Sequence, residues 1–124
     1  MTQEQKDLLL KDLCARLPYG VKFVCNENIY TSKGLDLIVT DGGDWEYAVT
    51  AKGIAPIEID LIKPYLFPLS SMTEEQKMEE YKLMNSNFYT STVELPDFYN
   101  KNHIDYRGLI PIGLAIDATN LNIY

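Results

Sequence analysis

The residue types that could do chemistry gather in one stretch, HIDYR at His103–Arg107, which holds the only histidine of the chain. A histidine oriented by a nearby carboxylate can act as a general base, and an arginine beside it can hold an anionic group. His103, Asp105, Tyr106 and Arg107 are therefore candidate binding residues. None is assigned as catalytic, because no activated nucleophile or glycine-rich phosphate loop accompanies them. A structural reading competes: Asp105 and Arg107 pair with neighbours to pin the turn before an apolar segment, while His103 ends a short helix. Tyr65 and Phe67 are the other two candidate binding residues. With Phe88, Tyr89, Phe98 and Tyr99 they form an aromatic set that serves either core packing or a sticky contact surface.

Other constellations are weaker. Asp41, Asp44 and Glu46 surround Gly42–Gly43, but their spacing departs from an EF-hand loop, so a hairpin turn with both glycines at positive φ is expected and no metal site is assigned. Nothing calls for a cofactor. Cys14 and Cys25 have no partner histidines, and both are expected to be small buried hydrophobes in a reduced, cytoplasmic setting. No basic and apolar leader opens the sequence, and Leu109–Ala118 is too short to span a bilayer, so no membrane association is expected. The net charge of −7 is spread as 0 over residues 1–20, −3 over 21–66, −3 over 67–95 and −1 over 96–124. No segment is basic, which argues against nucleic acid as a partner.

The elements that must position these residues are legible from periodicity. Thr2 and Gln5 form a capping box ahead of a helix to Arg16, with Leu10, Leu13, Cys14 and Leu17 on one apolar stripe. Asp7–Lys11 and Asp12–Arg16 are acid-first i,i+4 pairs suited to an exposed face. Alternation then takes over: Val21, Phe23 and Cys25; Leu35, Leu37 and Val39; Trp45, Tyr47 and Val49; Ile57, Ile59 and Leu61. Turns at Asn26–Asn28, Lys33–Gly34, Asp41–Asp44 and Lys52–Gly53 separate these runs, so the strands pair antiparallel. Pro64 and Pro68 keep the next segment extended. Thr73 and Gln76 repeat the capping box, and Met78, Tyr81 and Met84 are the expected buried stripe of a second helix. A polar loop follows over Asn85–Thr92, then a short helix from Pro96 to about Asn102.

KDLCARLPYGV at Lys11–Val21, IKPYLFPLSSMTEEQK at Ile62–Lys77 and DFYNKNHIDYRGLIPIGLAID at Asp97–Asp117 resemble a family of small uncharacterised proteins of gut anaerobic bacteria, often carried on prophages and other mobile elements. The resemblance implies a cytoplasmic accessory protein with a small barrel-like middle flanked by helices, and it carries over no site residue. The expectation is one α+β domain over residues 1–124: an N-terminal helix, a curled antiparallel sheet or SH3-like barrel of four to five strands, a second helix and a packed C-terminal segment. The tyrosine excess and the lack of a catalytic constellation favour a non-enzymatic protein-interaction module with an unidentified protein partner. A small-molecule enzyme or ligand binder centred on His103, and an acidic nucleic-acid mimic, are the alternatives. Oligomeric state is left open.

Overall fold

Thr2 and Gln5 bond reciprocally to each other's backbone amides, as a capping box requires, and start helix α1 over Gln3–Arg16. The computed structural model describes all residues from Met1 to Tyr124. The buried line of α1 is Leu9, Asp12, Leu13 and Arg16. That is the expected i, i+3, i+4, i+7 spacing displaced by one residue, a rotation of about 100°. Two consequences correct the sequence reading. Cys14 turns outward while Cys25 alone is buried, and the Asp12–Arg16 pair lies inside the protein.

Strand β1 (Lys22–Cys25) alternates as expected, with Phe23 and Cys25 inward. Asn26 and Glu27, both at positive φ, turn it directly into β2 (Asn28–Val39). The break expected at Lys33–Gly34 is a bulge within one twelve-residue strand. It lets the first half of β2 pair with β1 and the second half with β3 (Trp45–Ala51). Gly34 belongs there because a Cβ would lie 3.3 Å from the Thr50 hydroxyl. At the β2–β3 turn only Gly43 adopts positive φ, so Gly42 does not play the part expected of it.

Two-residue β4 (Ile57–Glu58) edges β3, and β5 (Lys63–Pro68) pairs with β1 on the far side. The C-terminal segment adds β6 (Ile104–Asp105) and β7 (Ile116–Asp117), both parallel to β5. The order β4-β3-β2-β1-β5-β6, with β7 also on β5, never returns to its start. The class is α+β as expected, but the sheet is open and mixed rather than a closed barrel or purely antiparallel. Sequence alternation could not show the two parallel strands, because each is only two residues long. Leu109, Leu114 and Ala115 join Leu9, Leu13, Phe23, Val49 and Leu66 in one core, so the apolar tail packs on its own domain.

Helix α2 (Glu74–Met84) begins with the second capping box, yet buries no residue fully. Met78, Tyr81 and Met84, expected inside, face solvent, and Gln76, Glu80 and Leu83 are its less exposed positions. The expected loop over Asn85–Thr92 is mostly helical as well. The Asn87 side chain accepts from the Thr90 amide, and a wide π turn at Thr90–Glu94 leads into α3 (Leu95–Lys101). Pro96 accounts for the widening: it lacks an N–H, and its ring crowds the carbonyl four residues back.

Candidate interaction site

His103 has φ of 58° and ends α3, its amide bonded to the Asn100 carbonyl at 3.2 Å. This is the left-handed residue that commonly closes a helix. The turn aims the imidazole at Tyr124, with ring centroids 3.9 Å apart and planes 15° apart. Burial, then the positive charges of Arg16 and Lys22, push the His103 pKa down to about 4, so the ring is neutral at physiological pH. Its Nδ1 is buried without a partner in the protein.

Asp105 points the other way. Its two carboxylate oxygens accept from the backbone amides of Leu109 and Ile110 at 2.9 and 2.8 Å, closing the turn ahead of the apolar segment. Arg107 reaches Asp12 on α1 at 3.0 Å and lies 4.5 Å from the centroid of the Tyr106 ring. Asp12 at the same time receives Arg16 through two bonds of 2.8 and 3.1 Å, and Arg16 also donates to the Ile104 carbonyl at 2.7 Å. One carboxylate thus serves two guanidinium groups. Tyr106 stacks on Tyr99 at 4.9 Å, and the Tyr99 hydroxyl donates to Glu80 at 2.7 Å, with burial the first cause of its raised pKa.

These contacts tie α1, α2, α3 and the tail together. They do not bring His103, Asp105 and Arg107 to a common point. A surface cleft of about 480 Å³ is lined by Ser70, Asp105, Tyr106 and Arg107, but His103 is not part of it. Tyr65 and Phe67 lie on β5, Tyr65 buried and Phe67 half-buried, and Phe67 packs 5.7 Å from Tyr124. So Tyr65, Phe67 and His103 converge around Tyr124, while Arg107 bonds to Asp12 and Tyr106 lies against the Arg107 and Arg16 guanidinium groups. The role of Asp12 and Arg16 was missed in the sequence because an acid-first i,i+4 pair is the usual signature of a solvated face.

The surface carries a different feature. Beyond the bulge, β2 and β3 continue as a two-stranded arm whose directly opposed pairs are Leu35–Val49, Leu37–Tyr47 and Val39–Trp45. Alternate residues of a strand share a face, so these three pairs form one apolar ladder. Its inner end is core, since Val49 has no exposed surface. Its outer end is bare: Leu37 is 50%, Val39 54%, Tyr47 43% and Trp45 69% exposed. Strand β4 pairs with Ala48 and Val49 and leaves the β3 edge free from Trp45 to Tyr47. Lys6 of α1 holds the outer half of the arm from its other face through Glu46 at 3.1 Å, and that bond is the first cause of the raised Lys6 pKa. Asp41 and Asp44 stand in the turn at the outer end, whereas Asp36 lies on the opposite face across from Ala48.

Comparison with protein-family models, with curated proteins and with solved structures finds no match for this chain. No helix is long and apolar enough to cross a membrane.

Proposed function

We propose that this protein is a non-enzymatic protein-interaction module that binds through the outer face of the β2–β3 arm. The supporting observation is the ladder Leu37–Tyr47 and Val39–Trp45, which carries the single tryptophan into solvent on a regular, hydrogen-bonded support. Exposed tryptophan and tyrosine on a rigid element are the side chains that most often dominate binding energy at interfaces. Asp41 and Asp44, in the turn at the end of this ladder, favour a partner with an apolar groove bordered by lysine or arginine. On the strength of the wording at Lys11–Val21, Ile62–Lys77 and Asp97–Asp117, we further propose that the protein serves as a cytoplasmic accessory factor of a mobile element.

The test is a tagged pull-down from host lysate with nuclease added, followed by binding measurements on the purified partner. Trp45→Ala with Tyr47→Ala should weaken binding at least tenfold while leaving the thermal midpoint nearly unchanged. Rising salt should slow association, as acidic steering of a basic groove requires. A partner whose affinity ignores both substitutions would remove the arm as the contact site.

A further inference from the structure

Strands β1 and β5 pair at Phe23–Pro64 and Val24–Lys63, so the next rung of the ladder belongs to Lys22 and Tyr65. That rung is not closed directly. The Lys22 amide donates to the Tyr124 hydroxyl at 2.8 Å, and the same hydroxyl donates to the Tyr65 carbonyl at 2.8 Å. A phenol accepts and donates, so one oxygen joins the two strands where they part. The ring is held between His103, 3.9 Å away and nearly parallel, and Phe67 at 5.7 Å. Phe67 and His103 are themselves locked together by the Phe67 amide bonding to the His103 carbonyl at 2.8 Å. The walls of this slot therefore belong to the folded domain and do not depend on its occupant.

The occupant is held differently. The last backbone bond from the tail to the sheet runs from the Ala118 amide to the Leu66 carbonyl. Over residues 119–124 the only remaining backbone bond is local, from Leu121 to Ala118, and Asn120 and Asn122 sit at positive φ. Leu121 is half exposed. Residues 119–124 form a strap with local hydrogen bonds to Asp117 and Ala118, and all of its hydrogen bonds to residues earlier in the chain pass through one phenol oxygen.

We propose that this slot is a tyrosine-binding site with an exchangeable occupant, filled in cis by Tyr124 and in trans by a tyrosine on another polypeptide when the strap lifts. The slot selects tyrosine over phenylalanine, because a ring without a hydroxyl leaves the Lys22 amide and the Tyr65 carbonyl unpaired. It uses neither the arm nor its acidic turn, so it stands or falls apart from the function proposed above.

The probe is the blocked peptide Asn-Leu-Asn-Ile-Tyr, matching residues 120–124, added to the Tyr124→Ala protein. Saturable binding is expected, with a rise in thermal midpoint and NMR shifts at the Lys22 amide and the His103 ring. The same peptide ending in phenylalanine should bind at least about tenfold more weakly, since both hydrogen bonds of the hydroxyl are lost. The wild-type chain should not respond at those concentrations, since a tethered ligand competes at roughly millimolar effective concentration. A folded Tyr124→Ala protein that ignores the peptide, or that accepts phenylalanine equally, overturns the proposal, as does equal binding to wild type. A second measurement needs no variant: in the wild-type chain the Lys22 amide should exchange with solvent at least tenfold faster than the Phe67 amide. Equal protection would mean that the strap opens only when the domain does, and the slot would not be exchangeable.

Discussion

At the scale of single residues, the centre of this protein is Asp12. Neither Asp12 nor Arg16 has any exposed side-chain surface, and the Arg107 side chain is 15% exposed. Burying charge is unfavourable unless the groups satisfy one another, and here one carboxylate accepts from two guanidinium groups. Arg16 still keeps Nη1 without a partner in the protein, with Tyr106 lying 5.7 Å from the guanidinium carbon. Removing the shared carboxylate leaves two cations facing each other across the core. Asp12→Ala should therefore lower unfolding free energy by about 3–5 kcal/mol. Arg107→Ala should lower it less, because the Asp12–Arg16 pair survives. Urea denaturation of both variants checks the order. Equal losses would mean that Arg107, not Arg16, carries the pairing.

At the scale of elements, α2 and the arm share one property: regular structure with an apolar face left uncovered. A helix is held in part by its caps, and Thr73–Gln76 together with Glu74 and Glu75 in the first turn supplies these for α2. The face toward α3 is joined by the Glu80–Tyr99 bond, which leaves Met78, Tyr81 and Met84 outside. Leu83→Ala should therefore destabilise by about 1–2 kcal/mol, below the range for a fully buried leucine. Tyr81→Ser should stay within about 0.5 kcal/mol of wild type. Chemical denaturation measures both. A Tyr81→Ser loss matching that of Leu83→Ala would show that the outer face of α2 is packed in solution.

At the scale of the whole molecule, the tail joins the sheet to the helices, and its histidine couples that junction to pH. The folded His103 pKa lies near 4, against an ordinary value of 6.5. Between these values the unfolded chain binds the extra proton, so stability rises with pH. The contribution is fully present above about 6.5 and is lost as pH falls toward 4. His103→Asn, which tolerates the left-handed backbone, should flatten this part of the stability–pH curve measured by thermal unfolding. An unchanged slope would assign the acid sensitivity to carboxylates instead.

The sequence by itself determined whatever depends on neighbours along the chain. Both capping boxes, the end of α1 near Pro18, the alternation of Phe23 and Cys25, the hairpin turn at Asp41–Asp44 and the helix beginning near Pro96 are local, and each formed where its residues pointed. The structural reading of HIDYR was local too: His103 closes the helix and Asp105 caps the following turn. Tertiary structure alone decided which face of each element is inside. A stripe of leucines on α1 and one of methionine and tyrosine on α2 have the same period wherever the helix is turned. The core took Asp12 and Arg16 because Arg107 and the Ile104 carbonyl, about ninety residues away, were there to satisfy them. It left Trp45 and Tyr81 largely exposed, since neither packs against the core cluster. Tyr124 found its slot for the same reason: its two hydrogen-bond partners, Lys22 and Tyr65, meet only when β1 and β5 pair.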